Sequence, residues 1–315
     1  MCVLAILLAV LPGRLHRWVR VRLGADIHPT VRIGFGVLIA ADSLTIGRNV
    51  RIRSLVRINV SQAHLDRDVV IGPMVSITAH SLEIADHASI AQATIVAGDR
   101  NQVRSRLVVG SHSRIFPFSW IDPGHGVTLG SRVGIGGHGL IFTHGSWSNY
   151  FRGAPVASGP VVIEDGVWLP WRVFVMPNVT IGRDAIIGAG SIVTRSVPPR
   201  ALAAGMPATV LREEAYRDLS QDELALRISS VLDEYFTENP TEERIGVVSA
   251  YDADGARRSP VAVVVGAGPF GPQFEGASQI DVVGETLTRG RGAERAVRLA
   301  DWLSRYGVRV DEVES

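Results

Sequence analysis

Between Ile163 and Val193 an apolar residue returns at every sixth position: Ile163, Leu169, Val175, Ile181, Ile187 and Val193. A period of six matches neither the 3.6 of a helix nor the 2 of an alternating strand. It matches a hexapeptide solenoid, in which a short strand turns a corner every six residues and three strands complete one coil. The apolar side chains then fill a triangular prism. Gly182 and Gly188, which follow two of them, and the nearby Gly190 are expected to relieve tight corners where φ is positive. The spacing recurs upstream in Ile33 and Ile39, in Ile46, Ile52 and Ile58, in Ile71 and Ile77, and after a one-residue slip in Ile84 and Ile90. It continues through Val109, Ile115 and Ile121, then Leu129, Ile135 and Ile141. Three sides of six give a coil of about 18 residues.

Two stretches interrupt the pattern. Asp99 to Leu107 is polar, with Asn101, Arg104 and Arg106, and reads as a loop between coils. Phe142 to Pro160 holds no repeat but Gly145, Ser146, Ser148, Asn149, Gly153, Pro155, Ser158, Gly159 and Pro160, so it reads as an excursion from the solenoid. Long irregular loops in compact domains usually carry function. The repeats end near Pro198-Pro199, where a missing N–H suits a terminus, and Ala201 to Arg212 reads as an edge-covering extension. From Glu213 the pattern turns helical, through Leu219, Leu224, Leu226, Ile228, Val231 and Leu232. Strand-like runs at Ile245–Ala250 and Val261–Val265 and a closing amphipathic helix at Ala293–Tyr306 follow. The predicted architecture is mainly β: a helical cap over 1–30, a parallel β-helix over 31–212 and a small α+β appendage over 213–315.

Composition narrows the function classes. With 32 basic and 31 acidic residues in 315, nothing points to a nucleic-acid partner. A single cysteine, Cys2, forms no intramolecular disulfide and suits the cytoplasm. Cys2 to Pro12 is apolar, and Arg14, Arg17, Arg20 and Arg22 follow. That order is the reverse of a secretory signal, and the run falls far short of the ~20 residues of a membrane span. A capping helix is the first expectation; peripheral contact with the inner membrane face through residues 1–22 is the second.

Among residues suited to chemistry, His144 opens the excursion, where an imidazole can take a proton from an alcohol or amine near neutral pH. Asp122 precedes it by little more than one coil, which places a carboxylate within reach to orient the ring or bind hydroxyls. Trp168, where the chain rejoins the prism, offers a flat face for stacking. Arg195 and Arg212 offer charge-assisted donors for phosphates. His80, His87, His112, His125, His138 and His144 show no compact ligand spacing, so no metal is expected. The glycine-rich Gly266–Gly271 follows an apolar run, but Pro269 and Pro272 stand where a helix would begin, so it reads as a turn rather than a phosphate loop.

From Asp122 to Arg212 the chain resembles the hexapeptide-repeat acetyltransferases of the maltose and galactoside O-acetyltransferase type. The resemblance rests on Thr143-His144, Pro160-Val-Val-Ile163, Val167-Trp168, Pro177-Asn-Val-Thr-Ile181-Gly182, Ile187-Gly188-Ala189-Gly190-Ser191-Ile-Val193-Thr194-Arg195 and Ala204-Gly205-Met206-Pro207-Ala208, in that order. Leu11-Pro12-Gly13-Arg14 and Ile27-His28-Pro29-Thr30-Val31 further resemble acyltransferases of exopolysaccharide biosynthesis.

The resemblance implies a left-handed β-helix, a homotrimer with sites between subunits, and acetyl-CoA as acyl donor to a sugar or saccharide acceptor. His144 would be the general base, Asp122 the sugar contact, and Trp168, Ala189, Thr194, Arg195 and Arg212 the lining of the coenzyme track. Arg114 replaces an asparagine that the family places near the acceptor, and Leu169-Pro170-Trp171 replaces smaller residues on the coenzyme path. These departures keep a non-catalytic alternative open: a trimeric solenoid scaffold that displays the appendage.

Overall fold

The computed structural model describes residues 8–9, 11–145, 149–217, 219–240, 246–251, 257–265, 278–281, 286–288, 298–300, 302–303 and 311–313. Cys2, Ser146, Ser148 and the Gly266–Gly271 turn lie outside the described residues, as do most of Ala293–Tyr306. The chain divides into two compact units, Met1–Tyr216 and Arg217–Ser315.

The first unit is a β-solenoid of three parallel faces. The first face stacks eight strands from Asp26–Ile27 to Thr180–Ile181, and the third stacks eight from Leu38–Ala40 to Ile192–Val193. The second runs from Arg32–Ile33 to Ile186–Ile187 and ends in a hairpin, Leu202–Gly205 with Ala208–Arg212. The ladder residues fill the prism: Ile46, Ile52, Ile58, Ile84, Ile90, Ile135, Ile141, Ile163 and Ile187 are all at most 1 % exposed. Each contributes about 1.5–3 kcal/mol of hydrophobic stabilisation.

The corners are of two kinds. From first face to second, and from second to third, the inward residues always stand six apart, as in Ile46–Ile52–Ile58 and Leu129–Ile135–Ile141. At all of these corners but the first, where Thr30 precedes Ile33, the residue three before the inward side chain has positive φ, as at Asn49, Asp68, His87 and His112 on one edge and Leu55, Met74, Phe118 and His138 on the other. A side chain in that region costs about 1–2 kcal/mol, which the buried ladder residue it positions offsets. None of the fourteen non-glycine residues at positive φ among the described residues is β-branched, the type that tolerates αL least.

The third corner, from third face back to first, is variable. Ile39–Ile46, Ile58–Leu65 and Ile77–Ile84 step by seven, so an early coil holds 19 residues instead of the expected 18. Val96 to Val109 and Ile141 to Ile163 are far longer, and only Val175–Ile181 returns to six, with Asn178 at positive φ. Both sequence-predicted excursions leave from this corner. The first is shorter than expected, because Arg106 and Leu107 already belong to strand Arg106–Val109.

The glycines after the inward residues act otherwise than expected. Gly182 and Gly188 are not at positive φ; a Cβ on Gly182 would lie 2.4 Å from the Pro199 backbone nitrogen, and one on Gly188 2.6 Å from Ala204 Cβ. They allow close stacking of the next coil, while Gly190 and Gly166 take the left-handed corner.

The ends are covered. Helix α1 (Gly13–Arg22) lies on the first coil, held by buried Arg20, whose Nε donates to His16 Nε2 (2.8 Å) and whose Nη2 donates to the Ile39 carbonyl (2.5 Å). Burial and the Arg20 charge push the His16 pKa down to about 4, so the ring stays a neutral acceptor. Leu8 and Ala9 are buried, and Gly36 N–H donates to the Ala9 carbonyl. At the far end the 202–212 hairpin covers the exposed edge of the second face, as an open edge requires. Glu214 and Ala215 still belong to this unit, through the Arg200–Glu214 ion pair (2.6 Å) and the Ala215 N–H to Arg200 carbonyl bond.

In the second unit the helical pattern expected from Glu213 starts at Gln221, where Ser220 and Glu223 form a capping box for α2 (Gln221–Glu238). Hydrogen bonds from Arg217, then the Ser220 N–H, hold Glu223 down to about 2. Strands Gly246–Tyr251, Arg257–Val265, Ser278–Asp281, Thr286–Thr288 and Asp311–Val313 form one sheet in chain order. Arg298–Ala300 and Trp302–Leu303 are helical, and Trp302 packs edge-on to Tyr235 at 5.2 Å.

Candidate active site

The variable corner brings Asp122 and His144 together. Asp122 ends strand Trp120–Asp122 and pairs in register with Phe142, the last residue of Leu140–Phe142 on the next coil. Two residues later the chain has left the prism, and His144 Nδ1 stands 2.6 Å from Asp122 Oδ2. Among the described residues that oxygen accepts no aligned hydrogen bond, so the contact becomes an ion pair only when the ring carries a proton on both nitrogens. The Asp122 side chain is 4 % exposed and that of His144 55 %: the carboxylate is sealed in while the ring faces solvent.

Local hydrogen bonds fix this geometry. Asp122 Oδ1 accepts from Gly124 N–H (2.9 Å). The fully buried Thr143 hydroxyl donates to the Asp122 carbonyl (2.9 Å) and accepts from His125 N–H (2.9 Å). The excursion then runs out as the antiparallel pair His144–Gly145 with Ala157–Ser158, joined across a short turn, Tyr150–Arg152, that Asn149 caps. Phe151 at its tip is 96 % exposed.

Sequence reasoning missed two members of the site, Thr143 and His125. The His125 ring centroid lies 6.1 Å from that of His144. Burial, then the charges of Arg104 and His144, lower the His125 pKa, with Asp122 opposing them. His125 Nδ1 is buried and has no hydrogen-bond partner among the described residues. The available signal was its place three residues after Asp122, in the corner that admits extra chain.

The other sequence-predicted residues fall into two groups. Thr194 and Arg195 follow strand Ile192–Val193 and are exposed on the same edge of the prism as His144, two coils further on. Arg114 and Trp168 lie on the second face, separated by one strand, and Arg212 ends the hairpin of that face. The Trp168 indole lies over Gly134, where a Cβ would come within 2.4 Å of the ring, and meets Phe116 edge-on at 6.1 Å. Ala189 stands at the corner between these faces, next to Trp171, which leans toward His138 at 6.2 Å. Within the chain, Arg114 and Trp168 do not share the Asp122–His144 corner. Among the described residues no group of three or more His, Cys, Asp or Glu side chains is placed to hold a metal, and no helix is long and apolar enough to cross a membrane.

An exposed imidazole backed by a sealed carboxylate is suited to taking a proton from a hydroxyl and holding the charge that results.

Comparison with known proteins matches the coils that follow this corner. Residues 160–195 match the family described as bacterial transferase hexapeptide, six repeats. The galactoside O-acetyltransferase of Escherichia coli K12 is 49 % identical over 61 residues, 19 % of this chain and 30 % of that protein. A Schizosaccharomyces pombe protein provisionally named an acetyltransferase is 37 % identical over 89 residues, 28 % of this chain and 43 % of its own length. The matched segments thus span about a third to two fifths of these relatives. Among solved structures, a hexapeptide-repeat acetyltransferase of Vibrio cholerae complexed with acetyl-coenzyme A is 27 % identical, covering 42 % of this chain and 69 % of that one, with a TM-score of 0.37. The resemblance read from the sequence is borne out as a resemblance: residues 160–195 match the hexapeptide repeat of bacterial transferases, and the relatives matched over part of their length are named acetyltransferases.

Proposed function

We propose that this chain, whose solenoid carries the hexapeptide repeat of bacterial transferases, is an acyl-CoA-dependent O-acetyltransferase acting on a sugar or polysaccharide precursor. The observation that carries the reading is the Asp122–His144 pair at the root of the excursion. His144 Nε2 takes the proton of an acceptor hydroxyl while Nδ1–H stays on the side of the carboxylate. The buried Asp122 charge stabilises the imidazolium. The acceptor oxygen attacks the thioester carbonyl carbon, a backbone N–H holds the oxyanion, the C–S bond breaks, and His144 returns the proton to the leaving thiolate. Asp122 thereby acts through the ring, in addition to any contact with the sugar.

Thr194 and Arg195, on the same edge as His144, fit the donor, since Arg195 is exposed and makes no ion pair among the described residues. Trp168, Arg114 and Arg212 lie on another face, so a neighbouring copy is needed to bring them to the ring; this supports the homotrimer.

The test follows thiol release from acetyl-CoA with a panel of sugar acceptors. His144→Ala is expected to lower turnover by about 10² to 10⁴ with the fold intact. An unchanged rate removes His144 from the chemistry. No release with any acceptor, together with no coenzyme A binding by calorimetry, leaves the scaffold reading.

A further inference from the structure

Far from His144, the first two coils carry an open cleft of about 650 Å³ between α1 and the second face. Its lining includes Arg14 and Arg17 from α1 and Arg32 and Arg51 from the solenoid. A smaller hollow of about 220 Å³ continues it, shared by Arg32, Arg51 and Arg53. Arg32 and Arg51 are register partners on adjacent strands, so two guanidinium groups emerge side by side, an arrangement that like-charge repulsion disfavours.

Compensation within the cleft is small. Its one acidic lining residue, Asp68, accepts from Asn49 Nδ2 at 3.0 Å, and Arg17 donates to the Pro29 carbonyl. Arg14, Arg32, Arg51 and Arg53 make no ion pair among the described residues. The positive end of α1 adds to this field. Its first turn holds no acidic residue and Pro12 supplies no side-chain cap, and Gly13 presses so closely on the solenoid that a Cβ would lie 2.0 Å from the Ile33 carbonyl oxygen. Arginine forks from two elements and a helix N-terminus converging on one open volume make a receptor for a phosphate-bearing anion.

We infer that this cleft binds a phosphate or diphosphate ester. The volume lies within the range of small-ligand sites and holds more than a lone phosphate. With strands about 4.8 Å apart, Arg51 lies about 20 Å along the prism from the corner of His144. The site is therefore separate from the acyl-transfer corner and does not rest on that reading. The same chemistry is offered by a soluble diphosphate and by an anionic lipid headgroup.

The experiment uses the whole chain with no acyl donor. Calorimetry with inorganic pyrophosphate is expected to show saturable binding that the double change Arg32→Gln and Arg51→Gln weakens at least about tenfold. Arg57→Gln, on the third face, serves as a surface-charge control and is expected to change nothing. Arg14→Gln repeats the test from the helix side, should the double variant fold poorly. Co-sedimentation with phosphatidylcholine vesicles, with and without phosphatidylglycerol, separates the sources. Phosphatidylglycerol-dependent binding that pyrophosphate competes away assigns the headgroup; pyrophosphate binding without it assigns a soluble ester. Failure of both probes overturns the proposal. So does binding that survives the arginine changes, or that Arg57→Gln weakens equally.

Discussion

The two fixed corners of the prism and its variable third corner are built from the same inward ladder, yet only the third admits extra chain. At the fixed corners a left-handed residue sets a six-residue step, and any addition moves the next inward side chain off its rung. At the third corner the spacing between inward residues runs from six to more than twenty, and nothing in the ladder on either side is disturbed. Asp122, His125, Thr143 and His144 all belong to this corner. Chemistry collects where the fold tolerates length, on a scaffold that the other two corners keep rigid.

The largest expected effect tests that contrast directly. A two-glycine insertion after Leu55, at a fixed corner, is expected to abolish cooperative thermal unfolding, because the third-face strand after it loses its register with its neighbours. The same insertion after Asn101, in the third-corner loop, is expected to shift Tm by only a few degrees, since lengthening a surface loop costs well under 1 kcal/mol. Equal damage at both sites would remove the distinction.

The contrast also accounts for what could be read from residues alone. The six-residue ladder was legible because two corners in three never vary, and the excursion with His144 stood out as the longest break in it. The Asp122–His144 contact followed from counting little more than one coil. What stayed hidden depends on the third corner's length. Leu65 escaped the ladder because seven-residue steps displace it. A coil of 18 places Arg32 beside Val50; the actual 19 places it beside Arg51, so the arginine cleft had no signature in the repeat as first read. Thr143 and His125 join through hydrogen bonds that a corner's path decides and a period does not encode.

A smaller effect separates the two settings in which glycine occurs. Gly182 lies where a Cβ would come within 2.4 Å of the Pro199 backbone, a neighbour that cannot swing aside, so Gly182→Ala is expected to cost about 1–3 kcal/mol in denaturant unfolding. Gly145, on the excursion, has nothing within 4 Å of that position among the described residues, and Gly145→Ala is expected to stay within about 0.5 kcal/mol. Similar losses at both positions would mean that the excursion is as tightly packed as the coils.

The smallest effect concerns the cost of a fixed corner itself. Ala93 has φ of 54°, where a Cβ crowds its own backbone and gains no polar contact in return, unlike Asn49, whose side chain bonds Asp68. Ala93→Gly relieves that crowding but gives the unfolded chain more freedom to lose, and these terms oppose each other. The steric term of about 1–2 kcal/mol exceeds the entropic one of about 0.5–1, so a net gain of up to about 1 kcal/mol is expected in urea unfolding. A loss instead would show that the corner holds its left-handed residue without strain, and that the six-residue step is kept by the stacking of neighbouring coils alone.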